Sequence, residues 1–338
     1  MKKYIFLLSE DGDATADEVM SWLEYAGAFE VVRINDTDRL RFLHITIDSQ
    51  QADFEICVNE QLVVRLSQIH AYWYRRGQFR YRPVIALNRT ASAQLIESIN
   101  KYYRDEFEHS IDMLHFLLRS FVPVCINSFH DVYTNKLINL ECARQAGLKV
   151  PASIVSNNPK AIRQFFQQHP KCIVKPVRLP GNEARETDRQ IYYSQATNLI
   201  SAEEVDEFLS VQTLFQPTHF QEYIEKEFEI RTFILNDQLF SMAIFSQQNE
   251  QTKVDFRNYD KERPNRNVPF KLPDPVEKQL IRYCKLIGIN CGSIDILYNS
   301  GNYYFLEINP VGQLQWLSHS CNYFIEDHIA RTLTQNYA

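Results

Sequence analysis

The order of apolar and polar positions predicts strands that alternate with helices in the first third of the chain. An apolar run at 4–8 predicts a buried strand, and the stretch from Asp13 to Tyr25 predicts a helix that ends at Gly27. A second apolar run, 29–34, follows this helix, and a strand, a helix and a strand in succession indicate an α/β unit. Further short strands are predicted at 40–47, 53–58, 62–64 and 69–74.

The rest of the pattern divides the chain into three parts. Apolar residues at helical spacing in 91–119 predict one long helix or two, and a strand at 121–126 closes the first part. Residues 133–146 predict a helix that ends at Gly147, and 247–271 predict a long polar loop. We therefore expect an α/β fold with an N-terminal domain, a central subdomain and a C-terminal subdomain, at 1–125, 126–220 and 221–338.

A β-hairpin is predicted within residues 292–310. β-branched and aromatic residues flank a central sequence whose residue types are typical of turns, Ser300-Gly-Asn302. If these three residues form the loop, Asn299 pairs with Tyr303, and this pairing fixes the register of the whole hairpin.

This register brings oxygen ligands together on one face of the hairpin. Asp295 would lie opposite Glu307, and Asn309 would follow on the same face because side chains alternate along a strand. Two carboxylates and an amide oxygen are ligands that suit Mg²⁺. The alternative is an ordinary hairpin with an acidic solvent face. Against it, both carboxylates stand among apolar neighbours, where an unpaired charge is costly to bury.

Composition narrows the classes of function. Hydrophobic residues make up 45% of the 338-residue chain and charged residues 23%, as in ordinary globular proteins. The net charge of −6 gives no broadly basic surface, so nucleic acid is not expected as the main partner. No apolar run approaches the roughly 20 residues that span a membrane. Seven scattered cysteines without a Cys-x-x-Cys pair indicate reduced thiols and a cytoplasmic location.

The hairpin resembles a known family. Ser-Ile-Asp-Ile at 293–296 and Phe-Leu-Glu-Ile-Asn-Pro at 305–310 resemble the metal-binding end of the ATP-grasp ligases, with all three ligand positions and their spacing matched. The resemblance implies an ATP-grasp fold, in which the nucleotide lies between a central and a C-terminal sheet. It also implies that ATP and Mg²⁺ are the cofactors.

Two lysines extend the resemblance toward the phosphates of ATP. Lys136 lies in the helix after residue 133, and Lys175 ends the strand Cys-Ile-Val-Lys-Pro. In the family both lysines contact phosphates, although a lysine at a strand end is by itself more often a solvated charge. One departure is the loop 177–184, which has a single glycine where the family loop is glycine-rich. Arg178 is the candidate to compensate.

The segment that begins at Phe220 is similar to the adenine and ribose segment of the family. The resemblance implies that the backbone of a short hinge contacts adenine, at Glu222, Tyr223 and Ile224. It assigns ribose to Glu229, with Glu225 or Glu227 as alternatives.

Two arginines are the candidates for contact with the reacting groups. Arg231 would face the phosphates or the acyl intermediate. The segment Asp-Phe-Arg-Asn at 255–258 resembles an Asp-Phe-Arg segment of enzymes that ligate onto protein or peptide carboxylates. Arg257 would bind the acyl phosphate or a carboxylate at two points, as a planar guanidinium can. Asn258 is counted with the nucleotide-binding residues, and a solvated loop is the alternative for the segment.

Within this superfamily the chain is most similar to the graspetide peptide maturases of the microviridin and grasp-with-spasm type. The similarity rests on the Tyr-Trp-Tyr-Arg-Arg-Gly sequence at 72–77 and on the ending Asn-Pro-Val-Gly-Gln-Leu-Gln-Trp at 309–316. It implies that a side-chain carboxylate of a ribosomal precursor peptide is activated as an acyl phosphate. A hydroxyl or an amine of the same peptide then closes a macrocyclic ester or amide. The family also implies a homodimer.

Two other functions compete with this one. The first is a ligase that adds an amino acid to a protein or small-molecule carboxylate, and the second is an inactive nucleotide- or peptide-binding module. For the precursor peptide, the expected docking surface is the strand 238–245 with the polar loop 247–271, which would offer exposed backbone and apolar anchors at Phe240, Ile244 and Phe245.

Overall fold

The computed structural model describes residues 3–27, 29–79, 92–132, 134–177, 182–186, 189–193, 197–211, 215–258 and 260–335. Its strands are β1 (Tyr4–Ser9), β2 (Glu30–Asn35), β3 (Leu40–Ile47), β4 (Ala52–Val58), β5 (Leu62–Arg65), β6 (Ile69–Tyr74), β7 (Val124–Ile126), β8 (Ser153–Ser156), β9 (Lys171–Val174), β10 (Asn182–Glu186), β11 (Arg189–Tyr193), β12 (Asn198–Ser201), β13 (Thr218–Glu222), β14 (Phe228–Leu235), β15 (Gln238–Phe245), β16 (Arg266–Phe270), β17 (Cys291–Asn299) and β18 (Asn302–Asn309). Its helices are α1 (Ala14–Ala26), α2 (Ala93–Phe121), α3 (Lys136–Gln145), α4 (Pro159–Gln168), α5 (Ala202–Val211), α6 (Asp274–Ile287), α7 (Gln315–Cys321) and α8 (Ile325–Leu333).

The chain divides into two compact units. The first comprises Met1–Tyr133, Gln313–Ser318 and Phe324–Ala338, and the second comprises Thr134–Gly312 and His319–Tyr323. The predicted boundaries near residues 125 and 220 stay predictions. Arg178 and the rest of 178–181, which is half of the predicted glycine-poor loop, lie outside the described residues. Within the described ranges, no helix is long and apolar enough to cross a membrane.

The first unit contains a parallel sheet in the order β2-β1-β6-β7. All residues of β1 and β6 are buried, as is usual for the central strands of a parallel sheet. An antiparallel sheet of β3, β4 and β5 belongs to the same unit. Helix α2 is one continuous helix of 29 residues, and the Ser92 side chain caps it by accepting from the N–H of Leu95 at 3.3 Å.

The second unit contains an antiparallel sheet in the order β12-β9-β13-β8. One face of this sheet packs against α4 and α5 around a core of buried apolar side chains, including Ile162, Phe166, Val205, Leu209 and Phe220. Because side chains alternate along a strand, the neighbours of Phe220 in β13 point to the opposite face. That face carries His219 and Gln221.

A second sheet of this unit has the order β16-β15-β14-β17-β18. Its apolar face packs with α3 and α6, and the shared core includes Leu140, Ile230, Leu280, Tyr283, Ile294, Ile296 and Phe305. Alternation leaves the polar residues of the same strands on the other face. The pairing of Arg231 with Asp295, and of Asp295 with Glu307, places all three on that face.

The hairpin of β17 and β18 differs from the prediction at its turn. Asn299 pairs with Asn302, so the turn has two residues rather than three. Ser300 and Gly301 both have positive φ, at 48° and 80°, as a type I′ turn requires. The predicted pairing of Asn299 with Tyr303 is therefore wrong.

A β-bulge nevertheless places the two carboxylates opposite each other, as predicted. Ile296 pairs with Phe305 whereas Asp295 pairs with Glu307, so Leu306 is the additional residue in β18. With a two-residue turn and no bulge, the Glu307 side chain would point to the apolar face.

The polar stretch at 247–271 ends in a strand that was not predicted. β16 pairs with β15 from Ser241 to Phe245, and β14 pairs with β15 along its other side. The backbone of β15 is therefore not exposed for a peptide along that stretch, and Ile244 is fully buried. The prediction of β15 as an open docking strand is wrong.

Candidate active site

A cleft within the second unit lies between the sheet that contains β9 and β13 and the sheet that contains β14, β17 and β18. Its volume is about 690 Å³, with open space at the mouth included. Most of the predicted site residues line it: Lys136, Lys175, Glu222, Tyr223, Ile224, Glu229, Arg257, Asp295 and Glu307. Nine of the twelve predicted site residues therefore lie in one cleft, and the role of each stays a prediction.

Asp295 lies at the base of the cleft and is almost completely buried. Arg231 Nη1 is 2.7 Å from Asp295 Oδ1, and Arg231 is buried as well. Burial raises the pKa of Asp295 and nearby Glu307 adds to this effect, while the charge of Arg231 opposes it. Arg231 thus compensates the charge of a predicted metal ligand.

Glu307 is held by two cations at once. Lys136 Nζ is 3.2 Å from its Oε2, and Arg257 Nη1 is 3.3 Å from its Oε1. Burial acts to raise the pKa of Glu307, but Lys136, Lys175 and Arg257 outweigh it and hold the pKa below its usual value. Glu307 is therefore ionised, as a metal ligand must be.

Asn309 completes the predicted metal ligands. It pairs with Ser293, two positions along from the Asp295–Glu307 pair, and so lies on the same face of the sheet. Its Oδ1 accepts from the N–H of Val311 at 3.1 Å, and an amide oxygen has a second lone pair. Two carboxylates and an amide oxygen on one face fit a hard divalent cation such as Mg²⁺. The metal assignment itself stays a prediction.

Lys175 and Lys136 supply positive charge to the same cleft as Asp295 and Glu307. Lys136 is the first residue of α3, where the Asn135 side chain caps the helix by accepting from the N–H groups of Leu137 and Ile138. Burial lowers the pKa of Lys175 to about 8, and Lys136 adds to the shift while Glu307 opposes it. Two close cations in a partly buried cleft favour an anionic ligand such as a phosphate chain.

The hinge segment follows β13. The Glu222 N–H donates to the Ala152 carbonyl at 2.8 Å, and the Tyr223 N–H donates to the Lys171 carbonyl at 3.1 Å. Since these two N–H groups are used within the sheet, a backbone donor to a ligand at the hinge would have to come from Ile224.

The three glutamates considered for ribose have different positions. Glu229 lines the cleft, and Ser246 Oγ donates to its Oε1 at 2.9 Å. Glu225 is an exposed partner of Lys171, at 3.6 Å. Glu227 accepts from the N–H of Ser300 at 2.7 Å and so supports the hairpin turn. The geometry therefore favours Glu229.

Lys226 is a residue of the cleft that was not predicted. It is buried, its Nζ lies 2.6 Å from Glu229 Oε1, and it donates to the Val254 carbonyl at 3.0 Å. In the sequence it stands between two glutamates, a pattern typical of a solvated segment, so no sequence signal marked it. Its charge compensates that of Glu229.

Arg257 is fixed by Asp255 as well as by Glu307. The Asp255–Arg257 contact is bidentate, with Nε–Oδ1 at 2.9 Å and Nη2–Oδ2 at 2.7 Å. Asn258 lies in the same loop, but its Nδ2 donates to the Gln251 carbonyl at 3.0 Å and it is not among the residues that line the cleft. The role given to Asn258 stays a prediction without support from this geometry.

Residues 134–333 match the model of a family described as the RimK-like ATP-grasp domain. This span is more than half of the chain, and the chain belongs to that family. The family match and the whole-chain structural matches confirm the predicted ATP-grasp fold and an ATP-dependent ligase. No curated protein matches the chain.

Several solved structures are similar to the chain over nearly all of its length. The macrocyclase MdnC bound with precursor peptide MdnA, from Microcystis aeruginosa MRC, is 26% identical at a TM-score of 0.73, covering 98% of this chain and 100% of that one. A Chryseobacterium gregarium RiPP-associated ATP-grasp ligase, in complex with ADP and a leader and core peptide, is 23% identical at 0.73, covering 98% and 95%. The ATP-grasp ligase PsnB, complexed with a phosphomimetic precursor variant, Mg and ADP, is 21% identical at 0.67, covering 98% of each chain.

The contacts of Glu307 predict an exchange of partners on ligand binding. In Glu307→Gln, Lys136 loses its carboxylate partner, whereas Arg257 keeps Asp255 and loses only the contact of its Nη1. The Lys136 ammonium and Nη1 of Arg257 then become available to phosphate oxygens. We expect ADP to bind about tenfold more tightly than to the wild type without Mg²⁺, a change of about 1.4 kcal/mol, while turnover is lost. Calorimetry with ADP in the presence of a chelator, and then with Mg²⁺, measures both effects.

Glu225→Gln is the matched control, because it removes an exposed charge that does not line the cleft. It should leave the affinity for ADP unchanged with and without Mg²⁺. Weaker metal-free binding in Glu307→Gln, or an undiminished gain from Mg²⁺, would contradict the exchange.

The lowered pKa of Lys175 predicts a pH dependence of phosphate binding. Lys175 loses its charge as the pH rises through about 8. Metal-free affinity for ADP should therefore fall by up to about tenfold between about pH 7 and pH 9, since a neutral amine no longer attracts phosphate. Lys175→Arg keeps its charge over this range and should show a flat profile. Parallel profiles for the two proteins would remove Lys175 from the phosphate site.

Proposed function

We propose that the chain is a graspetide synthetase, which uses ATP to close macrocyclic rings in a ribosomal precursor peptide. The observation that carries the proposal is the match of almost the whole chain, the N-terminal unit included, to a macrocyclase bound to its precursor peptide. The family match covers 134–333, so the similarity to MdnC extends beyond the shared nucleotide-binding part.

The charges of the cleft support this reaction. Lys136 and Lys175 would hold the phosphates of ATP, and Glu229 with the hinge at 222–224 would hold the nucleoside. Asp295, Glu307 and Asn309 would hold Mg²⁺. When bound, the metal would neutralise phosphate charge and orient the phosphates for in-line transfer.

The proposed reaction has two steps. A side-chain carboxylate of the peptide attacks the terminal phosphorus of ATP, so that ADP leaves and an acyl phosphate forms. A hydroxyl or an amine of the same peptide then attacks the acyl carbon and loses its proton, and inorganic phosphate leaves. The sum is one ester or amide bond and the loss of one water from the peptide.

Arg257 is the residue proposed to act at the acyl group. Asp255 fixes its guanidinium through Nε and Nη2, while Nη1 reaches Glu307. If Glu307 turns to a metal ion, that third contact becomes free for an oxygen of the acyl phosphate. A lysine cannot keep the bidentate contact to Asp255 and reach a second group as well.

The identity of the peptide, its docking surface and the homodimer stay predictions. The structures of MdnC and of the Chryseobacterium gregarium ligase were solved with peptides, which supports a peptide as the substrate of this chain. Because β15 is covered on both sides, the loop between β15 and β16 is the part of the predicted docking surface that remains.

The experiment that tests the function is mass spectrometry of a precursor peptide co-expressed with the enzyme, with the candidate peptide taken from a short reading frame beside the gene. We expect the loss of one water for each ring formed. Arg257→Lys should still bind ADP but should lose most of the ring formation, because the geometry of the planar guanidinium is gone.

Arg144→Lys makes the same exchange at another bidentate pair, with Glu141, which is exposed and does not line the cleft, and it should cyclise the peptide as the wild type does. An increase in peptide mass would instead indicate the addition of an amino acid. ADP binding with an unchanged peptide mass would indicate a binding module. Water losses that persist undiminished in Arg257→Lys would remove that residue from the reaction.

A further inference from the structure

His219 is a buried histidine beside the proposed phosphate site. Its carbonyl accepts from the Lys175 N–H at 3.3 Å. In the pairing of β13 with β9, Phe220 lies opposite Val174, so one further step places His219 opposite Lys175. Cross-strand neighbours share a face of the sheet. On this face Gln221, two positions along, lines the cleft. His219 is buried and is not itself a lining residue, so a ligand in the cleft reaches its ring only if the ring or the side chains beside it move.

The imidazole of His219 is buried, and its polar nitrogens make no hydrogen bond to the described residues. The residue is 2% exposed. Burial, followed by the charges of Lys175 and Lys136, lowers its pKa to about 4. The ring is therefore neutral at physiological pH, with one N–H donor and one acceptor nitrogen.

The two charged groups that act on this ring, Lys175 and Lys136, cannot satisfy its donor. The ammonium groups of Lys136 and Lys175 are donors and have no lone pair to accept a hydrogen bond. A buried donor without an acceptor is costly, and such groups often mark a place that a ligand fills. The acceptor that two adjacent lysines attract is an anionic oxygen.

We propose that His219 binds the nucleotide directly, by donating its ring N–H to a phosphate oxygen held between Lys136 and Lys175. This inference rests on the proposed function, because it takes ATP as the ligand of the cleft. It adds a neutral donor to a site that the sequence marked only by its charges. A neutral donor gives direction to the contact, whereas each lysine acts mainly as a point charge.

A ring that only packs and a ring that binds phosphate differ in their effect on ligand affinity. If His219 only fills space, then His219→Phe keeps an aromatic ring of slightly larger size, removes two buried polar atoms without partners, and leaves every ligand affinity unchanged. If His219 donates to phosphate, the same variant is as stable as the wild type or more so, yet it loses affinity for ligands that carry phosphate.

The test is calorimetry of the full chain with ADP and with adenosine. We expect His219→Phe to weaken ADP binding by about tenfold and adenosine binding little, since one hydrogen bond to a charged group is lost. His219→Asn places an amide N–H near the position of Nδ1, and His219→Gln places one near Nε2. One of these two variants should restore the affinity for ADP, and the one that does identifies the donating nitrogen.

His115→Phe is the matched control. His115 is also buried, and its Nε2 has no hydrogen-bond partner among the described residues, but it stacks on Phe129 in the first unit. This variant should change stability without changing the affinity for ADP.

A second readout is taken from the wild-type chain itself. In the wild-type chain labelled with nitrogen-15 at histidine, ADP should shift the ring nitrogens of His219 and adenosine should not, with the resonances assigned from the Asn and Gln variants. Equal losses for ADP and adenosine in His219→Phe, no loss for either, or an unshifted ring with ADP bound would overturn the inference. A wild type that binds no ADP would instead overturn the proposed function, and the inference with it.

Discussion

Compensation of buried charge at Glu307 is the constraint on which the cleft depends. The carboxylate lies between Lys136 and Arg257, at 3.2 and 3.3 Å. A carboxylate buried without such partners would be costly, and so would the largely buried ammonium of Lys136 without its carboxylate. The arrangement therefore holds the elements of the site in place before any ligand is bound.

The same compensation makes ligand binding an exchange of partners. A divalent cation would take the place of Lys136 and Arg257 at Glu307, and the released cations would then meet phosphate oxygens. The binding of metal and the binding of nucleotide are thus coupled. The metal releases cationic groups from Glu307, and the phosphates supply the negative charge with which these groups then pair. Asp295 with Arg231, and Glu229 with Lys226, repeat this pairing on the same sheet face.

The fold supports this chemistry by using the two faces of one sheet differently. The face toward α3 and α6 is a hydrophobic core, whereas the other face carries the ion pairs. Strand alternation alone would not preserve this division in β18, because its turn has two residues. The bulge at Leu306 shifts the register by one residue and returns Glu307 to the charged face.

The sequence predicted the site better than it predicted the turn. Asp295 was expected opposite Glu307 on the basis of a three-residue loop. The turn is one residue shorter than expected and the bulge adds one residue to β18, so the two differences cancel and the pairing is as predicted. Strand periodicity and the family motifs were enough to place Asp295, Glu307 and Asn309 on one face of the hairpin, and their role as metal ligands stays a prediction. Lys226 was missed because loops have no periodicity, and His219 because a lone histidine in a strand gives no sign of which partners it lacks.

β16 was missed for a related reason. Its polar residues and Pro269 do not form an apolar run, and the strand exists because β15 offers it a partner. Tertiary pairing of this kind leaves little trace in local sequence. The choice of Glu229 over Glu225 and Glu227 likewise depended on where each side chain lies, which spacing alone did not fix.

The most direct test of ATP-dependent carboxylate activation follows the oxygen atoms. A precursor peptide labelled with oxygen-18 in its side-chain carboxylates is incubated with the enzyme, ATP and Mg²⁺, and both the released phosphate and the peptide are analysed by mass spectrometry. We expect one labelled oxygen in inorganic phosphate for each ring formed. The mass of the peptide should fall by the elements of one labelled water per ring, since that oxygen has left with the phosphate. Unlabelled phosphate alongside ring formation would contradict carboxylate phosphorylation, and labelled phosphate with a peptide that gains mass would contradict cyclisation.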